Sequence, residues 1–489
     1  MNTYIGIDLG TSSVKLLLVN AEGEILNSAT KHYPISFPRP GWSEQNPADW
    51  WEATKKGIVS LLKGFDSESV KAISFGGQMH GLVILDREDK VIRPCILWND
   101  GRSAAQTEFL NKVIGRAKIS EYTANIAFAG FTAPKLLWMK ENEPENFVKI
   151  SKVMLPKDYL TYKLSGVHAT DYSDASGTLL LDVKRKTWSE EMCKICGLQT
   201  ATLPKLFESY DIVGHILSEI AHELKLSPDV LIIAGASDNA AAAIGTGTIG
   251  NNQCNISLGT SGTLFISSNT FRVNRDNDLH AFCHADGHYH LMGVVLSAAA
   301  ANKWWVSDIL KTKYNFIHSG LDSLLGENNI YFLPYLMGER SPHNDLTAKS
   351  LFIGMRPNTT RKEMSLAVLE GVGYALRESL EAAISSGIVI TDSKICGGGS
   401  KSELWKKIIA NILNLSLVEL VVDEGPAFGA ALLAMTGNKE YIDIEKAVTK
   451  CVKVRRVIEP ENKIVEKYNK GYALYKTLYP ALRDVFKIF

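Results

Sequence analysis

The chain has 489 residues, of which 45% are hydrophobic and 22% charged, enough to fill roughly two to four domain cores. Basic and acidic residues balance at 53 each, which argues against nucleic acid or an anionic membrane as partner and favours a small molecule. No apolar run reaches the roughly 18 residues that cross a bilayer, and the 7 cysteines are sparse, so we expect a cytoplasmic protein in a reducing compartment.

The first 35 residues alternate strands and turns. One apolar stretch ends at Gly10-Thr11-Ser12, a second follows directly, and Glu22-Gly23 is typical of a hairpin turn. Helical periodicity over 47–65 and around 103–113 predicts helices on either side of a strand at 70–76. Strands that alternate with helices in this way predict an α/β fold.

The second half of the chain repeats this order. Its predicted elements are a hairpin at 252–267 that contains Gly259-Thr260-Ser261, a strand at 289–297, and long helices at 361–386 and 400–414. The same hairpin with a Gly-Thr-Ser turn occurs twice, about half a chain apart, which predicts two related halves. Small residues and glycines over 240–252 predict a hinge, with domains at 1–247 and 248–489.

The two Gly-Thr-Ser turns have donors suited to phosphate oxygens. Because side chains alternate along a strand, Asp8 points to the open side of the first turn, whereas Ser257 occupies the equivalent place in the second. Two donor turns that face one polyphosphate, with a single carboxylate for a bridging magnesium ion, would suit a phosphoryl-transfer site. The alternative is two ordinary hairpin turns, in which Gly, Thr and Ser are common.

Three further motifs each have a functional interpretation and a simpler structural one. Gly397 to Gly399 follow a strand and open a helix, which would let a flat nucleoside lie against backbone, or would merely make a tight turn. Gly245 to Gly250 match G-x-G-x-x-G, but a helix precedes them and a strand follows, the reverse of a dinucleotide fingerprint. The cysteine-histidine motif at 283–290 favours a hairpin with an Asp-Gly turn over a zinc site.

Cys193 and Cys196 have the spacing of a metal or redox pair. No second pair accompanies them, and the surrounding residues have the apolar periodicity of a helix. This favours a structural role for both cysteines.

These motifs, in this order along the chain, resemble those of the FGGY carbohydrate kinases, which have the actin-like ATPase architecture. Residues 130–142 resemble the first signature of that family and residues 350–376 the second, and the resemblance covers essentially the whole chain. It implies an α/β fold of two ribonuclease-H-like (actin-like ATPase) domains around a central cleft. The N-terminal domain would hold most of the sugar and the C-terminal domain most of the ATP.

The resemblance also implies a reaction, the transfer of the ATP γ-phosphoryl group to the terminal hydroxyl of D-xylulose with Mg²⁺. Five stretches resemble family members specific for that sugar: 42–51, 77–81, 96–102, 155–160 and 332–345. A kinase for ribulose, fuculose, gluconate or glycerol is the alternative, against which Gln78-Met79-His80 argues. An actin-like or chaperone-like ATPase switch would need polymer contacts or an appended peptide-binding domain, and no such extra domain is visible. The expected assembly is a homodimer or a monomer.

Asp238 follows a buried strand and precedes an alanine-rich helix, so from its position alone it could be the helix N-cap or a general base. The family resemblance implies the base. The residues implied for sugar are Met79, His80, Asp238 and Asn239, with weaker candidates at Trp98, Asn99, Asp100 and Arg102. Those implied for the nucleotide are Thr11, Ser12, Gly259, Thr260, Gly398, Gly399 and Ser402.

Asp8 is implied as the magnesium ligand and as a catalytic residue beside Asp238. Trp304 is a possible adenine neighbour, although a tryptophan there could equally be core. The chain departs from the family at Lys407 and Asn411, where Gln and Asp are frequent. That departure leaves the preference for ATP among nucleoside triphosphates open.

Overall fold

The computed structural model describes residues 2–274, 278–422 and 424–489. The strands, numbered in chain order, are β1 Thr3–Leu9, β2 Ser13–Asn20, β3 Ile25–His32, β4 Glu44–Gln45, β5 Val70–Gly77, β6 Val83–Leu85, β7 Cys95–Ile96, β8 Lys152–Met154, β9 Ala169–Asp171, β10 Leu181–Asp182, β11 Thr187–Trp188, β12 Lys205–Phe207, β13 Ile212–His215, β14 Leu231–Ile233, β15 Ala236–Ser237, β16 Cys254–Leu258, β17 Gly262–Ser268, β18 His280–Cys283, β19 Tyr289–Val295, β20 Tyr331–Leu333, β21 Leu351–Ile353, β22 Asp392–Cys396, β23 Ser416–Leu420 and β24 Val454–Ile458.

The α-helices alternate with these strands along both halves of the chain. They are α1 Pro47–Leu61, α2 Ala104–Glu108, α3 Arg116–Thr123, α4 Thr132–Asn142, α5 Pro144–Phe147, α6 Pro156–Ser165, α7 Tyr172–Ser176, α8 Glu190–Cys196, α9 Ser218–Leu224, α10 Asp238–Gly245, α11 Ala299–Lys303, α12 Tyr314–Ile317, α13 Arg361–Ser385, α14 Glu403–Leu413, α15 Gly425–Gly437, α16 Ile444–Cys451 and α17 Asn462–Phe486.

The two main sheets share an arrangement of six strands with the same order and the same pairing. The first runs β13-β14-β5-β1-β2-β3 and the second β24-β23-β22-β16-β17-β19-β18. In each, three antiparallel strands continue into two parallel strands and then into an antiparallel strand, and in the second sheet β18 adds one more antiparallel strand beside β19. The prediction of two related halves is therefore confirmed at the level of topology.

The paired Gly-Thr-Ser turns occupy equivalent places in these sheets. Strands β1 and β2 pair antiparallel up to Leu9 opposite Val14, and β16 and β17 pair up to Leu258 opposite Gly262. The first turn is closed by a hydrogen bond from Gly10 N to Ser13 O at 3.0 Å. Each central strand therefore ends in a turn at the same edge of its sheet.

The predicted helices form, with shifted ends. Helix α1 begins at Pro47 because the Asn46 side chain accepts a hydrogen bond from Ala48 N, and it ends at Leu61 instead of 65. The helix expected at 103–113 continues beyond α2 as a π-helical turn over Phe109–Gly115. Helix α14 starts late, at Glu403, because Gly398–Lys401 forms a 3₁₀ turn before it.

The two halves meet through α10 and α15, which are rich in small residues. A Cβ on Gly429 of α15 would lie 1.8 Å from the carbonyl oxygen of Ala241 in α10. A Cβ on Gly6 of β1 would lie 1.9 Å from the carbonyl oxygen of Ala427. Helix α15, from the second half of the chain, therefore packs directly on the first sheet.

Both cysteine motifs have the predicted backbone. Cys193 and Cys196 are buried in α8. Strands β18 and β19 form the expected hairpin, with His284 N donating to His288 O at 2.9 Å. Within the described ranges, the helices lack the combination of length and apolarity needed to cross a membrane.

Candidate functional site

A cavity of about 370 Å³ lies where the two halves face each other. From the first half, Asp8 enters it from β1, while Asp238 and Asn239 enter it from the start of α10. From the second half, Ser257 and Gly398 line it. The structure thus brings together residues that are distant in sequence and that were predicted separately for sugar, metal and nucleotide.

A second cavity, of about 460 Å³, adjoins the first because both are lined by Gly398 and Lys401. Its other lining residues include polar and aromatic side chains and the remaining predicted adenosine residues: Tyr314, His318, Gly399, Ser402 and Trp405. Aromatic faces next to exposed backbone suit a flat heterocycle. The two cavities together can accommodate an elongated ligand with a charged end and a planar end.

The two acids of the first cavity have raised pKa values. Burial, reinforced by the charge of Asp238 and opposed by Lys15, raises the pKa of Asp8 to about 7. Burial raises the pKa of Asp238 to about 6, against the opposing effect of the Asn239 backbone N–H. Because burial disfavours the charged form of both acids, a proton or a bound cation beside them would be stabilising.

Asp238 is the first residue of α10, and Ser237 is its N-cap. The Ser237 hydroxyl accepts a hydrogen bond from Ala240 N, so the alternative reading of Asp238 as the cap was wrong. One oxygen of Asp238 accepts hydrogen bonds from Asn239 N and Asn239 Nδ2 at 2.7 and 3.0 Å. Its second oxygen has no such bond within the described part of the chain and is left for a ligand.

The predicted sugar residues cluster beside Asp238. The Asn239 Nδ2 lies 3.8 Å from the Met79 sulfur. His80 is buried, stacks on Phe131 at 4.5 Å, and donates from Nδ1 to Gly177 O at 2.6 Å. Burial lowers the pKa of His80 to about 3, so the ring is neutral and its Nε2 is an acceptor for a hydroxyl.

The predicted phosphate residues stand next to the cavity without lining it. Thr11 Oγ1 accepts a hydrogen bond from Trp98 Nε1 at 3.0 Å, and Ser12 is exposed. The carbonyls of Gly259 and Thr260 accept the first N–H groups of the α11 region, from Ala299 at 2.9 Å and Ala298 at 3.0 Å. All four follow Asp8 or Ser257 by two to four residues, at the ends of β1 and β16.

The weaker sugar candidates have structural partners. Asp100 and Arg102 form a buried ion pair at 2.7 Å, and Arg102 also binds Glu44 at 2.7 Å. Asn99 lines a different surface cavity, and Trp98 holds Thr11. These four residues do not line the cavity that contains Asp238.

Trp304 and the two positions at which the chain departs from the family, Lys407 and Asn411, have partners elsewhere. Trp304 stacks on Phe332 at 6.2 Å and packs against the core, which agrees with the core alternative. Lys407 pairs with Asp322 at 3.1 Å. Asn411 accepts a hydrogen bond from Glu461 N at 2.7 Å.

Two cavity residues, Lys15 and Glu424, were missed by sequence reasoning. They line the cavity and form an ion pair that joins the two halves. Lys15 stands directly opposite Asp8 in the β1–β2 register, so counting back from the Gly-Thr-Ser turn could have found it. Glu424 has no comparable signal, because its position depends on how α15 packs.

A family model described as the FGGY family of carbohydrate kinases, N-terminal domain, matches residues 3–245. The C-terminal domain model of the same family matches residues 254–437. The chain belongs to the FGGY family of carbohydrate kinases. The family resemblance read from the sequence is therefore confirmed, and with it the two-domain actin-like ATPase fold.

Three known proteins are similar over nearly their full lengths. A xylulose kinase of Escherichia coli strain K12 is 42% identical over 90% of this chain and 92% of its own. The structure of a xyloylose kinase from Brucella ovis matches with a TM-score of 0.95 and 40% identity, covering 99% and 100% of the two chains. A gluconate kinase from Lactobacillus acidophilus matches with a TM-score of 0.94 but only 27% identity, covering 98% of each chain.

Proposed function

We propose that this FGGY kinase transfers the γ-phosphoryl group of ATP to the terminal hydroxyl of D-xylulose, giving D-xylulose 5-phosphate. The observation that carries the proposal is the single cavity in which Asp238 and Asn239 of one half face Gly398 of the other. A sugar beside Asp238 and a nucleotide over Gly398 would bring acceptor and donor together. The similarity to xylulose kinases supports D-xylulose as the sugar.

In this proposal Asp238 is the general base. A hydroxyl is a weak nucleophile until its proton has an acceptor, and the free Asp238 oxygen can take that proton as the phosphoryl group departs. Asn239 fixes the other oxygen of the carboxylate. Such a base typically contributes about 10² to 10⁴ in rate.

Asp8 is proposed to hold Mg²⁺, which when bound would neutralise charge on the phosphate oxygens. The residues fit this ion, because Mg²⁺ prefers carboxylate oxygen and keeps several waters. The raised pKa of Asp8 reflects burial and the charge of Asp238, both of which a cation would offset. Thr11, Ser12, Gly259 and Thr260 are proposed to bind phosphate oxygens beside it.

Met79, His80 and Asn239 are proposed to select the sugar. The neutral His80 ring can accept a hydrogen bond from a sugar hydroxyl, and Met79 provides an apolar wall against Asn239. A site built to pair each hydroxyl rejects analogues that lack one, because buried polar groups would remain unpaired. Gly398, Gly399 and Ser402 are proposed to contact adenosine.

Residues 1–247 are proposed to form the sugar-binding domain and residues 248–489 the nucleotide-binding domain. The repeated sheets support this division, although α15 packs on the first sheet. We further propose that the enzyme acts in the cytoplasm as a monomer or homodimer. A cytoplasmic supply of ATP and of small sugars is consistent with this.

The test is a panel of sugars and polyols assayed with ATP and Mg²⁺. D-xylulose should have the highest kcat/KM, ahead of ribulose, fuculose, gluconate and glycerol. Omission of Mg²⁺ with a chelator present should abolish turnover. A higher kcat/KM for one of the competitors would replace D-xylulose as the substrate while leaving the kinase chemistry intact.

A further inference from the structure

The five-residue helix α7 contacts both parts of the proposed sugar site. Near its start, the hydroxyl of Ser173 accepts a hydrogen bond from Ser237 N at 3.0 Å, one residue before Asp238. Just past its end, Gly177 O accepts the Nδ1–H of His80 at 2.6 Å. One short segment therefore contacts both the backbone beside the proposed base and the ring of His80, which is proposed to bind the sugar.

A buried acid sets the direction of the Ser173 hydroxyl. Asp171 caps α7 by accepting from Ser173 N at 2.8 Å, and the same oxygen accepts the hydroxyl of Ser173. The hydroxyl of Ser209 donates to that oxygen as well, at 2.8 Å. Because the Ser173 hydrogen is committed to Asp171, its oxygen is left to accept from Ser237 N.

Lys157 anchors this acid. Its Nζ lies 2.9 Å from Asp171, 2.7 Å from Asp158 and 3.7 Å from Asp174, and its side chain is fully buried. A buried carboxylate that is paired with an ammonium group remains a strong acceptor. The chain of contacts from Lys157 through Asp171 to Ser173 therefore ends at the backbone that carries Asp238.

We propose that Ser173 is a positioning residue for Asp238, acting through the backbone N–H of Ser237. On its other side, Ser237 is held by pairing with Gly77 of β5, so the junction between β15 and α10 is fixed from two directions. Without the Ser173 oxygen, a buried N–H would lose its partner, and the junction would shift to find another. A small displacement of a catalytic group is costly, because the reacting geometry must be held closely.

Ser209 offers a matched control. It is as buried as Ser173 and donates to the same Asp171 oxygen, but no hydrogen bond joins its side chain to Ser237 within the described residues. Ser173→Ala and Ser209→Ala therefore remove equivalent hydroxyls from one acid. They differ in whether the junction before Asp238 keeps its partner.

The experiment compares both variants of the full chain on whichever sugar the wild type phosphorylates with the highest kcat/KM. Ser173→Ala should lower kcat about tenfold while the sugar KM stays within twofold, and Ser209→Ala should keep kcat within twofold at a similar melting temperature. Equal losses of kcat in the two variants, or a Ser173→Ala variant with normal kcat, would overturn the proposal.

If Ser173→Ala does not fold, Ser173→Cys is compared with Ser209→Cys, because cysteine is similar in size but a weaker acceptor. The Ser173 variant should again have the lower kcat, and equal values would count against the proposal. The inference rests on the proposed role of Asp238 as base. A wild type that prefers another sugar would refute D-xylulose as substrate without changing this comparison.

Discussion

At the scale of single residues, two acids in one cavity have different surroundings and therefore different expected tasks. Asp8 stands opposite Lys15 in the first hairpin, and its pKa is raised to about 7 by burial and by the charge of Asp238. Asp238 lies beside Asn239, next to Met79, with a pKa of about 6. The first environment suits a cation and phosphate, and the second suits a sugar hydroxyl.

The pH dependence of turnover should report Asp238. The base must be ionised to accept a proton, so protonation below its pKa of about 6 removes activity. With saturating Mg²⁺, which would keep Asp8 ionised, we expect kcat/KM for the sugar to be level from pH 7 to 8 and to fall as the pH drops through 6. Initial rates between pH 5 and 8, with the protein shown to be folded throughout, would check this. A profile that stays level down to pH 5 would contradict it.

Asp8→Asn should abolish turnover and yet stabilise the free protein at high pH. The pKa of Asp8 is raised from 3.8 to about 7, so its protonated form stabilises the fold, and this contribution, complete below about pH 4, is lost as the pH rises through 7. Asparagine cannot ionise. The variant should therefore melt at a higher temperature than the wild type at pH 8, with a gap that narrows toward pH 5.

Asp229→Asn is the control for this stability measurement, because Asp229 is exposed. Its melting temperature should follow that of the wild type at every pH. Thermal melts of the wild type and both variants from pH 5 to 8, without nucleotide or Mg²⁺, would test this prediction. A lower melting temperature for Asp8→Asn at pH 8 would show that the carboxylate stabilises the fold.

At the scale of elements, the site depends on how α10 and α15 cross. Gly429 allows α15 to approach the backbone of α10 at Ala241, and Gly6 allows it to approach β1. The strand that carries Asp8 and the helix that carries Asp238 therefore pack against the same segment of the second half. Their separation is set by backbone contacts, which leave little room for adjustment.

Gly429→Ala should destabilise the protein despite the better helix propensity of alanine, which is worth about 1 kcal/mol. The new Cβ would meet a backbone oxygen at 1.8 Å, and overpacking costs about 1–3 kcal/mol or more. Gly398→Ala is the matched control, because its Cβ meets nothing within 4 Å. It should leave the melting temperature unchanged and raise the KM for ATP, since the methyl group enters the cavity.

Thermal melts and ATP titrations of the two variants separate these effects. Equal melting temperatures for Gly429→Ala and the wild type would show that the two helices can move apart. An unchanged KM for ATP in Gly398→Ala would argue against a nucleotide at that glycine.

Local patterns predicted the elements well, and long-range packing explains what they missed. The two hairpins follow from alternating apolar residues around Gly10 and Gly259, which need only neighbours in sequence. The contact between Gly6 and Ala427 joins residues at opposite ends of the chain, and no local pattern encodes it. Lys157 and Asp171 are fully buried, although their residue types are typical of surfaces, because they neutralise each other.

At the scale of the whole molecule, the halves are joined at several places around the cleft. Ser176 accepts a hydrogen bond from Cys283 N at 3.0 Å, and the Asn125 side chain pairs with both backbone groups of Ala281. In the wall of the cavity, Lys15 of the first half binds Glu424 of the second. We expect ligands that bind between the halves to change contacts of this kind.

We predict that binding of sugar and nucleotide closes the halves about residues 244–250. Transfer to a sugar hydroxyl instead of water requires that solvent be excluded from the cavity. Small-angle scattering should give a smaller radius of gyration with D-xylulose and a non-hydrolysable ATP analogue than with neither. Unchanged dimensions would contradict closure.

The proposed reaction depends above all on Asp238, the acid at the junction of the two halves. Its direct test is the turnover of Asp238→Asn, measured beside the affinity of the same variant for the sugar. Turnover should fall by at least about 10²-fold while the sugar Kd changes by no more than a few fold, because the amide keeps the shape but cannot accept the proton. Turnover close to that of the wild type would show that another group, or none, removes the proton.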